Sequence, residues 1–109
     1  MRLFNMQKML KQVQKVQEDM ARVQEQLGQE RIEATAGGGV VRAVVNGHGD
    51  LLEIKIDPGA VDPNDVSLLE DLVLAAVGEA LRKAREVAGE RMKAVTGGLA
   101  VPGLPGLGR

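Results

Sequence analysis

The feature that most constrains this chain is a heptad repeat of apolar residues near its N-terminus. Seven side chains follow one another at alternating spacings of three and four residues: Met6, Met9, Val13, Val16, Met20, Val23 and Leu27. This spacing predicts one α-helix, from about Leu3 to Leu27, with a narrow apolar stripe along one side. Because a chain of 109 residues builds only a modest core, we expect a partner to cover the stripe.

The same helix carries a basic face, formed by Lys8, Lys11, Lys15 and Arg22 outside the apolar stripe. One interpretation is an ordinary solvated helix face. However, no acidic residue precedes Glu18, so the lysines lack the usual carboxylate partners one helical turn away. A basic face without such partners is suited to phosphate groups.

After Gly28, a residue type that often ends a helix, the apolar period changes from helical to two. Strands are predicted from residue 31 to 36, from 40 to 45 and from 52 to 57. A run of three glycines separates the first two strands, and Asn46-Gly47 predicts a hairpin between the last two. We expect the second strand to be covered on both faces and the third to have one wet and one dry face.

A second long helix follows Pro58, with Asp62 as its expected N-cap and Pro63 as its first residue. Its apolar residues keep a helical period as far as Val95. Residues 97–109 are rich in Gly and Pro and predict a flexible tail. The expected fold is α+β, one domain over residues 1–96 in the order α-β-β-β-α, with three antiparallel strands.

Charge is distributed unevenly although the formal net charge is −1. Residues 1–17 are basic and contain no acid, whereas residues 43–81 carry Lys55 against eight acidic residues. A second basic cluster near the C-terminus consists of Arg82, Lys83, Arg85, Arg91 and Lys93. The local field, rather than the total charge, steers a charged ligand.

The sequence offers little for catalysis. It has no Cys, and its single histidine, His48, lies between two glycines in a predicted turn. Neither glycine cluster has the pattern of a phosphate-binding or dinucleotide-binding loop, and no metal-ligand spacing is present. We therefore expect no enzyme activity, metal, cofactor or small-molecule substrate. No apolar run indicates a signal peptide or membrane span, so the expected location is the cytoplasm.

The kind of nucleic acid that fits can be narrowed from composition. Phe4 is the only aromatic residue, so the aromatic platforms on which single-stranded bases stack are missing. Duplex DNA is the better candidate. Nothing in the sequence resembles a base-reading motif, and contacts from Lys and Arg to phosphates carry little sequence information. We expect low sequence specificity.

A series of short segments runs in order along nearly the whole chain. They are Met6-Gln7-Lys8-Met9, Ala36-Gly37-Gly38-Gly39, Asn46-Gly47, Leu52-Glu53-Ile54-Lys55-Ile56-Asp57-Pro58, Val61-Asp62-Pro63, Leu68-Leu69-Glu70-Asp71-Leu72, Ala80-Leu81-Arg82-Lys83-Ala84 and Thr96-Gly97-Gly98. Together these segments resemble the YbaB/EbfC nucleoid-associated proteins.

The resemblance implies a tweezer-like homodimer whose helices extend from a β core. It also implies binding to double-stranded DNA and a change in DNA conformation, with roles in nucleoid organisation and gene regulation. In that family, DNA contacts are attributed to the terminal helices. Carried over, this gives as candidate DNA-binding residues Lys8, Lys11, Lys15, Arg22, Arg82, Lys83, Arg85, Arg91 and Lys93.

A second hypothesis comes from another class of function. Projecting helices with an exposed, Met-containing apolar stripe could grip a protein client, as an adaptor or cochaperone does, because Met adapts to irregular surfaces. The two hypotheses differ in their dependence on salt, since phosphate contacts weaken steeply as salt rises.

Overall fold

The computed structural model describes residues 2–97, and their side chains from Asn5 onward. The elements are α1 (Arg2–Gln29), β1 (Ile32–Ala36), β2 (Val41–Val45), β3 (Leu51–Ile56) and α2 (Val66–Thr96). This order confirms the predicted α-β-β-β-α arrangement. All but the first residue of the predicted tail lies outside the described residues.

The three strands form one antiparallel sheet in the order β1-β2-β3, and α2 packs on one face of it. Three alanines, Ala76, Ala80 and Ala84, are buried at intervals of four residues along the helix. Because their side chains are small, they let the helix backbone come close to the sheet. The strand residues packed in the same core are Ile32, Ala34, Val41, Ala43 and Val45.

Within the protomer, the third strand does not have the predicted dry face. Helix α2 packs mainly against β1 and β2, and it leaves β3, at one edge of the sheet, largely uncovered. Leu51 is 51% exposed, and Leu52 and Ile56 are also exposed. An irregularity in pairing at Val44 and Val45 further interrupts the simple alternation along β3. We call Leu51, Leu52 and Ile56 the β3 ledge.

The second strand is covered on both faces, as predicted. On the face away from α2, Val44 is buried and lies between Glu33 and Glu53 in the strand register. Arg42 bridges these two carboxylates at 3.0 and 3.2 Å. Ion pairs between neighbouring strands therefore cover this face in place of a second apolar layer.

The start of α2 differs from the prediction. Asp62 does not cap the helix; its carboxylate accepts a hydrogen bond from the backbone N–H of Asn64 at 2.9 Å and closes a turn. The N-cap is Asp65, whose Oδ1 accepts from the N–H of Leu68 at 3.3 Å. Two aspartates spaced three residues apart offer the same capping signal, and the second one is used.

The end of α1 also differs from the prediction. The helix continues through Gly28 to Gln29, and Gly28 is not among the glycines with positive φ. Its small size serves a different purpose, because a Cβ there would lie 3.3 Å from Nε2 of His48. Gly28 is thus a point of close approach between the helix and the β2–β3 loop.

Helix α1 projects from the body of the protein, as expected for a helix of its length. The described residues span 76 × 25 × 16 Å, and within α1 from Asn5 onward Leu27 is the only buried side chain. Over residues 2–97, neither helix is long and apolar enough to cross a membrane.

Candidate nucleic-acid interface

The basic residues of α1 form one continuous face. At about 100° per residue, Lys8, Lys11, Lys15 and Arg22 fall within an arc of about 60°. The centre of the heptad stripe lies about 140° away around the same helix. All four basic residues are exposed. One helix therefore carries a cationic face and an apolar face on nearly opposite sides.

Within the protomer the heptad stripe is largely uncovered in its N-terminal half. Met6 and Met9 are 61% and 64% exposed, and Val13 is also exposed. Val16 and Val23 are half-buried, and Leu27 at the end of the stripe is buried. The apolar surface is therefore greatest where the helix is furthest from the sheet.

The three lysines of α1 are available to a ligand. Among the described side chains, no carboxylate lies within 4.0 Å of the ammonium group of Lys8, Lys11 or Lys15. Arg22 differs, because one of its guanidinium nitrogens lies 3.2 Å from Oδ1 of Asp19. The basic face of α1 thus contains three unpaired lysines and one paired arginine within the described part of the chain.

Arg82 on α2 is held by two carboxylates. Its guanidinium donates to Glu79 at 2.7 Å and to Glu86 at 2.8 Å. These hydrogen bonds raise the pKa of Arg82 above its usual range, and the same contact with Arg82 lowers the pKa of Glu79. The local charge around Arg82 is therefore not positive, which weakens its candidacy as a phosphate ligand.

Two more candidates on α2 are engaged with other parts of the fold. Lys83 donates a hydrogen bond to the backbone carbonyl of Glu33 on β1 at 3.0 Å. Arg91 forms an ion pair with Glu30, which follows α1. These partners lie 50 and 61 residues away in the sequence, so the local charge pattern could not reveal them.

Arg85 and Lys93 complete the α2 cluster. Among residues 5–97, neither has a carboxylate within 4.0 Å of its side-chain nitrogens. Among the described residues, the nine candidates therefore separate into five cations with neither a carboxylate nor a backbone partner and four that are engaged. Three of the five available cations lie on one face of α1.

Sequence reasoning missed the role of one polar residue. Asn46 is 6% exposed, and its side chain makes hydrogen bonds to both its own loop and the end of α1. The only signal was the Asn46-Gly47 pair, which predicted the turn but not the contact with the helix. In the part of the chain that is described, no cluster of three or more His, Asp or Glu side chains could hold a metal ion.

Comparisons with known proteins identify a family and a similar fold. The model of the YbaB/EbfC DNA-binding family matches residues 1–99. A nucleoid-associated protein of Pelotomaculum thermopropionicum is 53% identical over 100 residues, which cover 92% of this chain and 95% of the relative. Another, from Thermoanaerobacter pseudethanolicus, is 54% identical over 101 residues, or 93% of this chain and 91% of the relative.

A solved structure is also similar. The uncharacterised protein HP0035 of Helicobacter pylori matches with a TM-score of 0.65 and covers 81% of this chain and 89% of its own length. At 18% identity, this likeness supports the fold alone. The descriptions of the family and of the two relatives name DNA or the nucleoid, and none names an enzymatic activity.

Proposed function

This chain belongs to the YbaB/EbfC DNA-binding family, and from that premise we propose that it binds duplex DNA through the basic face of α1. Lys8, Lys11 and Lys15 are the main phosphate ligands, and Arg85 and Lys93 of α2 add a second patch. Arg22, Arg82, Lys83 and Arg91 contribute less, because each is already engaged by another group of the protein.

The observation that carries the proposal is the row of three lysines without carboxylate partners among the described side chains. From Lys8 to Lys15 the row extends about 10 Å along an exposed helix at 1.5 Å per residue. Neutralising phosphates releases condensed counterions from DNA, which favours binding without regard to sequence. A chain with a net charge of −1 can bind DNA in this way because the cations are concentrated locally.

The binding has low sequence specificity and responds to the shape of the duplex. Lys and Arg contacts to phosphates fix position but do not read bases, and the described helices show no base-reading arrangement such as a helix-turn-helix. Two basic faces held at a fixed separation would favour DNA that bends or twists to meet both, and the protein would thereby alter DNA conformation.

A second copy of the chain supplies the second basic face, in a tweezer-like homodimer. Two uncovered apolar surfaces support assembly: the heptad stripe of α1, through a coiled coil, and the β3 ledge at the edge of the sheet. Exposed edge strands and exposed apolar stripes are both typical of surfaces that pair with another chain. The single domain of residues 1–96 would be the repeating unit.

The place of action follows from DNA binding. The relatives from Pelotomaculum and Thermoanaerobacter are named nucleoid-associated proteins, and we assign this chain to the nucleoid in the cytoplasm. Its roles there would be nucleoid organisation and gene regulation through DNA conformation.

Mobility-shift titration of duplexes with unrelated sequences, repeated across a salt series, tests the proposal. We expect similar affinities for all duplexes and a steep linear fall of log affinity with log salt concentration, because each phosphate contact contributes about 0.9 to the slope. A slope near zero, or no shift at low salt, would contradict it.

Sedimentation across a range of protein concentrations tests the homodimer. We expect a dimer, and we expect Val13→Glu or Leu51→Glu to dissociate it according to whether the heptad stripe or the β3 ledge is the contact. A wild-type chain that remains a monomer at every concentration would contradict the dimer.

The alternative function is that of an adaptor or cochaperone-like module. The exposure of Met6 and Met9, at 61% and 64%, supports it, because flexible Met side chains suit varied apolar clients. Client binding through this surface would be nearly independent of salt. It would be unaffected by Lys8→Glu, a change that is expected to weaken DNA binding.

A further inference from the structure

The β2–β3 loop, residues 46–50, grips the last turn of α1. The backbone N–H of Gly47 donates to the carbonyl of Leu27 at 2.7 Å, and Leu27 itself is only 2% exposed. A Cβ at position 47 would lie 2.7 Å from the Leu27 carbonyl oxygen. The helix and the loop are therefore as close as two backbones can be, and only glycine fits at position 47.

Asn46 links this loop to the helix. Its Oδ1 accepts hydrogen bonds from the backbone N–H groups of His48 and Asp50, both at 3.0 Å. Its Nδ2 donates to Oδ2 of Asp50 at 3.0 Å and to the carbonyl of Gly28 at 3.3 Å. The first three bonds hold the loop together, whereas the fourth reaches across to the end of α1.

The bond to Gly28 has a clear physical role. The last four carbonyls of a helix have no partner within the helix, and two of those in α1, on Leu27 and Gly28, accept from Gly47 and Asn46. Leu27 is the only buried side chain in α1 from Asn5 onward. The helix is attached to the body by this contact with the loop, by the neighbouring Glu30–Arg91 ion pair and by contacts with α2.

Because α1 is long, a small change of angle at this attachment would move the basic face by several ångströms. Lys8 lies nineteen residues before Leu27, or about 28 Å along the helix at 1.5 Å per residue. A rotation of about 10° at the loop would move Lys8 by about 5 Å, which exceeds the 4 Å within which an ion pair is formed. In a dimer the separation of the two basic faces would change by up to twice as much.

We infer that Asn46 and Gly47 are positioning residues, which set the direction of α1 and thereby place its lysines for binding to a duplex. We call the contact of Asn46 and Gly47 with the carbonyls of Leu27 and Gly28 the socket. The effect on DNA rests on the proposed function, whereas the effect on the direction of α1 does not and can be measured without DNA.

The direction of α1 can be measured by the distance between two spin labels. The chain contains no Cys, so Gln14→Cys on α1 and Ala75→Cys on α2, both exposed positions, can be labelled specifically in the full chain. Refolding the labelled chain with excess unlabelled chain isolates the distance within one protomer. We compare this distance distribution between the parent and the variants below.

Four changes distinguish the role of the socket from that of the hydrogen bonds inside the loop. Gly47→Ala places a methyl group against the Leu27 carbonyl, and Asn46→Ala removes both sets of bonds. The exchange Asn46→Asp with Asp50→Asn restores a donor–acceptor pair inside the loop but sets a carboxylate against the Gly28 carbonyl. Asp50→Ala is the matched control, because it removes one bond inside the loop and leaves the bond to Gly28.

We expect the first three variants to shift or widen the distance distribution by about 3 Å, the displacement of residue 14 for a rotation of about 10°, with the helical circular dichroism unchanged. Each should weaken duplex binding by about fivefold to tenfold. Asp50→Ala should leave the distribution and the affinity close to those of the parent. If Gly47→Ala or Asn46→Ala does not fold, the exchange variant carries the test, since it keeps the loop bonded.

Each possible negative result overturns a different part of the inference. An unchanged distribution in the folded socket variants would overturn the inference. A changed distribution with unchanged DNA affinity would overturn the role in DNA binding and leave the proposed function standing. If the parent chain binds no duplex at all, the proposed function fails and the DNA half of the inference with it, while the distance distribution still decides whether the socket sets the direction of α1.

Discussion

The two long helices of this chain have similar lengths, 28 and 31 residues, but different relations to the sheet. Helix α2 is packed along the sheet through three buried alanines, and three of its five candidate cations contact acidic side chains or backbone groups. Helix α1 is attached at its last turn, and its lysines lack carboxylate partners among the described residues. A helix that is packed into the body has its charges neutralised nearby, whereas a projecting helix keeps its charges for a ligand.

The largest effect is expected from the same substitution made once on each helix. Ala80 is fully buried between α2 and the sheet, so Ala80→Leu forces extra atoms into a close-packed contact and should lower the free energy of unfolding by about 3 kcal/mol. Ala21 on α1 is exposed, and Ala21→Leu should change it by less than about 0.5 kcal/mol. Urea unfolding followed by circular dichroism, at one protein concentration, measures both. Equal effects would contradict the contrast between the helices.

The second prediction concerns DNA affinity. Charge reversal of the α1 lysines, Lys8→Glu with Lys11→Glu and Lys15→Glu, should weaken duplex binding by about 100-fold. Three attractive contacts with phosphates in each protomer become repulsive. Mobility-shift titration at a fixed moderate salt concentration measures the change, and unrelated duplexes should be affected about equally.

A matched control changes the total charge by the same amount at engaged cations. Arg31→Glu, at a cation paired with Glu53, with Arg82→Glu and Lys83→Glu should weaken binding by less than about fivefold. A similar loss from both triple variants would mean that the total charge, and not the availability of individual side chains, decides affinity.

The third prediction compares a glycine on each helix. A Cβ added at Gly78 on α2 would meet no atom of a neighbouring described residue within 4 Å, so Gly78→Ala should raise the free energy of unfolding by about 0.5–1 kcal/mol. Gly28→Ala on α1 should give none of this gain, because its Cβ would meet the His48 ring at 3.3 Å. Urea unfolding measures both, and an equal gain at the two positions would mean that the exposed His48 ring moves aside at no cost.

These comparisons show what periodicity can and cannot predict. The heptad spacing, the change to period two and the helical spacing of the C-terminal segment predicted both α-helices and all three strands in order, because each depends on residues close in sequence. The prediction of a dry face on β3 was wrong for the protomer, because the burial of that face depends on how far α2 reaches across the sheet. The use of Asp65 in place of Asp62 was missed because both satisfy the same local capping pattern.

The candidate site divides in the same way. The basic face of α1 follows from helical geometry and could be predicted from the sequence. The engagement of Lys83 by Glu33 and of Arg91 by Glu30 joins residues distant in sequence, so charge counting overstated the basic cluster of α2. The contact of Asn46 with Gly28 was missed for the same reason.

The smallest effect is expected from releasing a cation on α2. Glu79 and Glu86 hold Arg82, and the hydrogen bonds from Arg82 lower the pKa of Glu79 below its usual range. Glu79→Gln with Glu86→Gln should free the guanidinium and strengthen duplex binding by about threefold, with a slightly steeper salt dependence from the added phosphate contact. Glu70→Gln with Glu90→Gln removes the same charge without touching the partners of Arg82, so it should change affinity by less than about twofold. If both pairs of substitutions strengthen binding equally, the acidic residues of α2 act only through net charge. If neither pair strengthens binding, Arg82 lies outside the interface, and α1 carries the binding with Arg85 and Lys93.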